Sequence, residues 1–353
     1  MSNQPLAESV QTLYAELLEQ AIHAEAERAA SAAPRGSFVT KTIRGVTYWY
    51  LQYQEGDRKR QRYLGRESPS LLAWMEEAKE ARARSGADAE ERGKLVSMLA
   101  AGGAARESAT VVRVLELLAA AGVFRLGGVL VGTQAFAAYG NLLGVRFAQQ
   151  ALRTQDVDIA QDRSIGIALA GESAPADVEG NLHASGLGFA PVPQLDPREP
   201  STSFKIRGRE LRVDFLTPLF GPESSAPVFL PALGVSAHPL RLLDYLIESA
   251  VQAVVVGGSG VLVNVPDPAR FALHKLWISD RRPVSEQTKA AKDLRQAGDL
   301  LDLLLEDRSG DVQLAWEAIG ARKRVVAAIR RAGERLPPEL RSALAARLAG
   351  FAG

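Results

Sequence analysis

Aspartates at alternate positions of two short apolar segments restrict the fold of this chain more than any other feature. Asp156 and Asp158 stand two residues apart in a strand-like run at 155–160, and Asp214 lies between apolar neighbours in a later run at 211–216. Because side chains alternate between the two faces of a strand, Asp156 and Asp158 share one face. Carboxylates on one face repel each other unless a hard divalent cation lies between them. We therefore predict adjacent strands whose three acids hold two Mg²⁺ ions, with Mn²⁺ as an alternative.

A glycine–threonine turn upstream fits the same chemistry. An apolar strand at 128–131 is followed by Gly132 and Thr133 and by a helix that runs to about Tyr139. Glycine lets the backbone approach a phosphate, and the threonine hydroxyl and the amides of a helix N-terminus donate hydrogen bonds to it. Carboxylate-bound metal pairs suit in-line phosphoryl or nucleotidyl transfer. A second glycine cluster, at 257–260, lies between two strand-like runs with no D-x-D after it, which indicates a hairpin turn.

The order of these features resembles the DNA-polymerase-β-like nucleotidyltransferase superfamily over roughly residues 108–265. Gly-Thr at a strand–helix turn, D-x-D and a single later aspartate occupy the matching places. The local sequence VGTQAFAAYG…RTQDVDI is similar to bacterial minimal nucleotidyltransferases and to AbiEii/MenT-type toxin enzymes, which also have a helical C-terminal half. The resemblance implies an enzyme that transfers a nucleoside monophosphate from an NTP to an acceptor hydroxyl. It also implies that Asp156, Asp158 and Asp214 are the catalytic and metal-binding residues.

The same resemblance implies basic contacts farther along the chain. In those relatives a lysine in a K-L pair and a later Lys/Arg-Asp pair join the site, and here HKLW contains Lys275 and AAKDLRQAGD contains Lys292 and Asp293. Lys275 is thereby expected to contact the triphosphate. The chain departs from such relatives at Gln296, where a second aspartate is common, and at Thr133, where serine is commoner.

Three further residues are candidates for nucleotide binding. Arg153 and Thr154 directly precede the D-x-D strand and are placed to order phosphates, although an arginine at a strand start is often simply solvated. Lys205, on a strand next to that of Asp214, is either a phosphate contact or a solvent-facing hairpin lysine. Lys275 has a similar alternative, because a lysine in the apolar helix FALHKLW can extend its ammonium group to the surface.

The patterning along the chain predicts an α/β fold in three parts. Residues 1–103 form a helix, a β-hairpin and a second helix, residues 104–265 form the nucleotidyltransferase core with a mixed sheet, and residues 266–353 form an α-helical domain. Helices are predicted at 5–33, 70–100, 108–121, 175–186, 267–279, 285–306, 311–320, 321–333 and 337–350. Strands are predicted within 37–65 and at 128–131, 155–160, 202–207, 211–216 and 251–265.

The hairpin at 38–66 combines cations with aromatic rings. Its basic residues are Lys41, Arg44, Arg58, Lys59, Arg60, Arg62 and Arg66, and its aromatic residues include Tyr48, Trp49, Tyr50, Tyr53 and Tyr63. Such a set is typical of RNA-binding surfaces, where cations contact phosphates and rings stack on bases. It is also typical of a small sheet with aromatic cross-strand pairs inside and solvated arginines outside.

Composition excludes several other classes of site. With no cysteine, the chain has no disulfide, thiolate zinc site or cysteine nucleophile, as expected of a cytoplasmic protein. Its four histidines are scattered and lack metal-ligand spacing. No signal-peptide pattern and no apolar run of membrane-spanning length is present. Lysine and arginine number 42 against 41 acidic residues, so any nucleic-acid contact depends on local patches.

The sequence leaves the acceptor open. The basic aromatic hairpin and the helical tail favour RNA, such as a tRNA end modified by a toxin-type enzyme that has an antitoxin protein as its partner. A small molecule or a protein is the second alternative, and the protein case is AMPylation. A catalytically silent nucleotide-binding module on the same fold is the third.

Overall fold

The computed structural model describes residues 3–30, 36–55, 58–147, 155–164 and 176–348. Two predicted site residues, Arg153 and Thr154, lie outside the described residues. The N-terminal elements are β1 (Gln4–Pro5), α1 (Glu8–Ala30), β2 (Ser37–Ile43), β3 (Val46–Glu55), β4 (Arg58–Arg66) and α2 (Pro69–Ala101).

The central elements follow in the order α3 (Ala109–Ala120), β5 (Val129–Val131), α4 (Gly132–Leu142), β6 (Val145–Arg146), β7 (Asp156–Ala160), α5 (Val178–Ala184), β8 (Phe189–Pro191), β9 (Ser203–Ile206), β10 (Arg212–Pro218), β11 (Val228–Leu230), β12 (Val235–Leu240), α6 (Leu243–Ile247), β13 (Ala250–Val255) and β14 (Val261–Pro266). The C-terminal helices are α7 (Pro268–Arg281), α8 (Gln287–Asp307), α9 (Ser309–Ile319), α10 (Lys323–Gly333) and α11 (Pro338–Arg347), with a short 3₁₀ turn at Val284–Glu286 between the first two.

Helices α1 and α2 pack along each other, and α2 supports the three-stranded sheet β2–β3–β4. Ser68 caps α2 by accepting a hydrogen bond from the Leu71 amide, and the 33 residues of this helix span about 50 Å. Trp74, in the N-terminal half of α2, meets Phe38 of the sheet edge to face, with ring centres 5.8 Å apart. The sheet therefore rests on the first half of α2.

The second half of α2 packs on the body of the protein. Leu17 of α1 and Leu99 of α2 are fully buried in a cluster that also contains Val254 of β13. The Tyr14 hydroxyl donates to the Val254 carbonyl at 3.2 Å and accepts from the Val254 amide at 2.9 Å. Hydrophobic contacts therefore join the two sides of the predicted domain boundary at residue 103. The division into three domains stays a prediction.

The central sheet has seven strands, with the main order β11–β12–β10–β7–β5. Strand β9 pairs with the first half of β10, β12 pairs with its second half, and β8 pairs with β9. Strands β7, β10 and β12 are parallel, whereas β5 is antiparallel to β7. Val157, Ile159, Val213 and Phe215 are fully buried, which gives the sheet an apolar face toward the core. This mixed sheet with its helices confirms the predicted α/β class.

The hairpin and the C-terminal helices complete the body. Strands β13 and β14 pair in antiparallel register up to Val255 and Val261, so the glycine cluster between them is a hairpin turn, as predicted. Asp267 begins α7 by accepting hydrogen bonds from the amides of Ala269 and Arg270. The five predicted C-terminal helices are present, each within three residues of its predicted bounds. No described helix is both long and apolar enough to cross a lipid bilayer.

Candidate active site

The structure brings the three predicted carboxylates together at the centre of the sheet. Asp158 of β7 and Asp214 of β10 are register partners in the parallel pair, and Asp156 is the register partner of Arg212. Neighbouring strands are about 4.8 Å apart, so the side chains of Asp158 and Asp214 leave the sheet side by side. All three acids are partly exposed, whereas their strand neighbours Val157, Val213 and Phe215 are fully buried in the core.

Burial and mutual repulsion raise the pKa of two of these carboxyl groups. Burial first, and then the carboxylates of Asp214 and Asp156, raise the pKa of Asp158 to about 7, and Lys275 and Arg212 offset only part of this shift. Burial and Asp214 also raise the pKa of Asp156. Burial and the closeness of the three acids therefore both disfavour the charged form of Asp158.

The Gly-Thr turn lies beside the carboxylates. Gly132 begins α4 in the left-handed region, with φ at 69°, and a methyl group on its Cα would overlap the Asp158 carboxylate. The positive φ favours glycine at this position, and any side chain there would displace the Asp158 carboxylate. Thr133 follows in the first turn of α4, where the backbone amides have no helical partner and can bind an anion. An anion bound at this helix end would lie next to Asp158.

A lysine from the C-terminal helices reaches this turn. Lys292 of α8 donates a hydrogen bond from Nζ to Thr133 Oγ1 at 2.9 Å. Burial, and then the charge of Lys275, lowers the pKa of Lys292, while the nearby acids act in the opposite direction. An ammonium group, a hydroxyl and a helix N-terminus thus meet at one point, and this combination is suited to phosphate.

Lys275 and Asp293 form a buried ion pair between α7 and α8. Lys275 Nζ lies 2.6 Å from Asp293 Oδ1, and their side chains are only 10% and 4% exposed. Arg282 donates from Nε to the other Asp293 oxygen at 2.9 Å and from Nη1 to Glu286 at 2.8 Å. Arg282 is absent from the sequence prediction. Its spacing of seven residues from Lys275, about two helical turns, is the signal that points to it.

Asp214 has two partners that the sequence reasoning missed. Arg212 donates from Nε to Asp214 Oδ1 at 2.6 Å and from Nη2 to Ser203 Oγ at 2.7 Å. The Ser203 hydroxyl donates to the same Asp214 oxygen. Arg212 stands two residues before Asp214 in a strand, so alternation would have placed both on one face. Ser203 has no such signal, because its position opposite Asp214 depends on the pairing of β9 with β10.

A cleft of about 370 Å³ joins these groups between the sheet and the C-terminal helices. Its charged part contains the three aspartates, Thr133 and Lys292, and its apolar part is lined by Leu216, Leu240, Leu243, Leu246 and Ile278. Lys275 and Asp293 also line this cleft. Lys205 is exposed on β9 as the register partner of Arg212, and it does not line the cleft.

The donor set of the site matches a hard divalent cation. Asp156, Asp158 and Asp214 offer carboxylate oxygens, which Mg²⁺ prefers as ligands, and a cation between them would relieve their mutual repulsion. The three carboxylates line one cleft, but within the described ranges no three acidic or histidine side chains converge closely enough to form a ready-made metal centre, so a bound cation would have to draw these carboxylates together. Asp214 Oδ1 accepts hydrogen bonds from Arg212 and Ser203, so one oxygen of the third acid is already engaged.

Acids that can bind Mg²⁺, beside a lysine and a helix N-terminus that can bind phosphate, are the groups that phosphoryl-transfer enzymes use. A family model described as nucleotidyltransferase matches residues 109–320, which is more than half of the chain and includes every site residue named above. The chain belongs to this nucleotidyltransferase family and is a transferase. Residues 14–73 match a domain of unknown function, DUF6788, which covers most of α1 and the β2–β4 sheet. No curated protein matches the chain.

Proposed function

We propose that this protein transfers a nucleoside monophosphate from an NTP to a hydroxyl group of RNA, with Mg²⁺ as its cofactor. The observation that carries the proposal is the contact between the Gly132 turn and Asp158, which is itself the register partner of Asp214. A phosphate site and a carboxylate cluster thereby share one cleft, as transfer of an α-phosphate requires.

Different residues of the site bind the pyrophosphate, hold Mg²⁺ and accept the proton. In this proposal the leaving pyrophosphate binds at the N-terminus of α4, between the Thr133 hydroxyl and the Lys292 ammonium group. Asp156, Asp158 and Asp214 would hold Mg²⁺, which neutralises the triphosphate and makes the acceptor hydroxyl more acidic. Mn²⁺ suits the same oxygen ligands. Asp214 accepts the proton of the acceptor hydroxyl once Arg212 has moved from its carboxylate.

RNA is favoured as acceptor by the open face of the β2–β4 sheet. Lys41 and Tyr48 are register partners, as are Tyr50 and Tyr63, so these side chains share the face opposite Phe38, which contacts α2. The Tyr50 and Tyr63 rings have centres 5.4 Å apart, and Lys41 Nζ lies 4.6 Å from the centre of Tyr50. Tyr63 is 55% exposed. Rings that are open to solvent can stack on bases.

Positive charge surrounds these rings. Lys59 and Arg66 are exposed, and their register partners, Gln54 and Tyr48, lie on the same strand face as Tyr50. The side chain of Arg58 lies outside the part of the chain that the structure describes. Cations beside exposed rings complement the phosphates and bases of a single-stranded RNA. A small-molecule acceptor would need no such surface.

Labelling tests the transfer directly. The protein is incubated with each α-³²P-labelled NTP, Mg²⁺ and total bacterial RNA, and the RNA, the protein band and free nucleotide are resolved side by side. We expect label in RNA with the wild type and with Asp307→Asn, an exposed control at the end of α8, but none with Asp158→Asn. Label in the protein band would indicate AMPylation instead. Label in neither RNA nor protein would leave a small-molecule acceptor or a silent nucleotide-binding module and overturn the proposal.

Salt dependence tests the RNA surface. Between about 50 and 200 mM salt, RNA affinity should fall steeply, with a log–log slope of about −0.7 for each phosphate contacted. Lys59→Gln combined with Arg66→Gln should make the slope shallower by about 1.4. The matched control, Arg84→Gln with Lys94→Gln on the exposed side of α2, should leave it unchanged. Equal slopes for the two pairs would contradict RNA binding at the open face.

The resemblance to AbiEii/MenT-type enzymes extends the proposal to a toxin that modifies a tRNA-like substrate and has an antitoxin partner. Induced expression of the wild type should then arrest bacterial growth, whereas Asp158→Asn should not. Normal growth at an expression level that labels RNA in extracts would refute the toxin role and leave the transfer reaction standing.

A further inference from the structure

The apolar part of the cleft has no role in holding phosphates or cations. It is lined by Leu216, Leu240, Leu243, Leu246 and Ile278. Leu240, at the end of β12, lines the cleft and is 37% exposed. Aliphatic side chains that line the same cleft as three carboxylates indicate a ligand with one polar and one apolar part.

The strand order fixes the position of this wall. Strand β5 leads into the Gly132–Thr133 turn, which we call the phosphate turn because the pyrophosphate is proposed to bind there. Strand β7 carries Asp158, β10 carries Asp214 and Leu216, and β12 carries Leu240. Leu216 stands two residues beyond Asp214 and so shares its face. Across the sheet, the phosphate turn, the carboxylates and the apolar wall therefore follow one another, with about 4.8 Å between neighbouring strands.

The geometry of in-line transfer places the pyrophosphate and the acceptor at opposite sides of the cleft. The attacking oxygen and the leaving pyrophosphate lie on opposite sides of the α-phosphorus. With pyrophosphate at Thr133 and Lys292 beside β5, the acceptor hydroxyl must approach from the side of β10 and β12. That side is the apolar wall.

We infer that this wall binds the 3′-terminal nucleoside of the RNA acceptor, with its base against Leu216 and Leu240 and its ribose hydroxyl at Asp214. The inference rests on the proposed function. The hydroxyl oxygen forms a bond to the α-phosphorus, and the bond from that phosphorus to the bridging oxygen of pyrophosphate breaks. The hydroxyl proton passes to the Asp214 carboxylate and then to water. A base is suited to this wall because burial of its planar face against leucine side chains is favourable, while its polar edges can remain in the open mouth of the cleft.

The backbone beside the wall supports a functional role. Leu242 has a positive φ of 60°, which is a strained conformation for a leucine. It directly precedes α6, the short helix that supplies Leu243 and Leu246 to the wall. Strain of this kind persists where the surrounding structure holds a segment in place, and it is concentrated at functional sites.

Equilibrium binding without NTP tests the inference. Fluorescence anisotropy compares a short labelled RNA that ends in an intact 3′ nucleoside with the same RNA ending in an abasic 3′ sugar. We expect the wild type to bind the intact end about tenfold more tightly, because the base buries apolar surface against the leucines. Leu240→Gln should reduce this preference to less than threefold. Leu314→Gln, a control at a 67% exposed leucine on α9, should keep it.

Two results would overturn the inference: equal affinity of the wild type for both RNAs, or an unchanged preference in Leu240→Gln. In the transfer reaction, Leu240→Gln should raise KM for RNA about tenfold and leave KM for the NTP unchanged. The reverse split would assign the wall to the base of the donor nucleotide and refute the acceptor site. Because anisotropy needs no transfer, a preference for the intact end without any labelling would refute only the proposed reaction.

Discussion

Lys292 Nζ donates a hydrogen bond to Thr133 Oγ1 at 2.9 Å, joining the C-terminal helices to the phosphate turn across 159 residues of sequence. The hydrogen bond thus brings together two candidate anion-binding groups from distant parts of the chain. Neither the helix N-terminus nor the lysine alone defines that site, because a lone lysine in a helix is usually solvated.

Replacing Thr133 should separate the role of its hydroxyl from its role in packing. Thr133→Val keeps the shape but loses the hydrogen bond, so KM for the NTP should rise about tenfold, as expected for a bond to a charged group. Thr133→Ser keeps the hydroxyl and should stay within about threefold of the wild type. Steady-state kinetics with varied NTP measure both values. A larger rise in KM with Thr133→Ser than with Thr133→Val would show that the methyl group, and not the hydroxyl, matters.

Asp158→Asn should stabilise the protein without divalent ions while stopping transfer. The pKa of Asp158 is raised from 3.8 to about 7, so the folded state binds its proton more tightly than the unfolded state does. The contribution of Asp158 to the free energy of unfolding therefore falls as the pH rises from about 4 to 7 and is lowest above 7. Removing the charge should add on the order of 1–2 kcal/mol at pH 8.

Urea unfolding in EDTA at several pH values measures this effect. Asp158→Asn should flatten the pH dependence between about 4 and 7, whereas Asp307→Asn, at an exposed helix end, should follow the wild type. A destabilised Asp158→Asn at pH 8 would contradict the repulsion that we describe.

Alternation in the sequence accounts for much of the fold and part of the site. The apolar residues around Asp214 predicted its strand and its face, and helical periodicity predicted the C-terminal helices. The pairing of β10 with β7, which places Asp214 opposite Asp158, depends on contacts between distant segments and leaves no local pattern. Ser203 was missed for the same reason, because it reaches Asp214 only through the register of β9.

The apolar wall lies in a stretch where the sequence gives weak local signals. Strands β11 and β12 have only three and six residues, which leaves little room for an alternating pattern. Helix α6 has five residues, which is too short for a helical period to appear. Leu242 has a backbone conformation that is typical of glycine or asparagine, so its residue type gives no indication of the turn. Tertiary packing, rather than local preference, determines this segment.

Removal of divalent ions should stop transfer and lower the melting temperature. A ligand present at 100 times its Kd stabilises the folded state by about 2.7 kcal/mol, so saturating Mg²⁺ should raise Tm measurably. Asp156→Ala should lose this increase, because it removes one of the three oxygen donors beside the phosphate turn. Differential scanning fluorimetry with NaCl at matched ionic strength provides the control. An equal Tm increase in Asp156→Ala would place the cation elsewhere.

The buried ion pair of Lys275 and Asp293 should be more sensitive to loss of the acid than to loss of the base. Asp293→Ala leaves both Lys275 and Arg282 without their shared carboxylate, and removing one partner of a buried pair costs about 3–5 kcal/mol. Lys275→Met should cost less, since Asp293 keeps Arg282 and the methionine fills a similar volume. Urea unfolding measures both, with Asp302→Asn on the exposed side of α8 as control. A larger loss in Lys275→Met would mean that Arg282 contributes little to the neutralisation of Asp293.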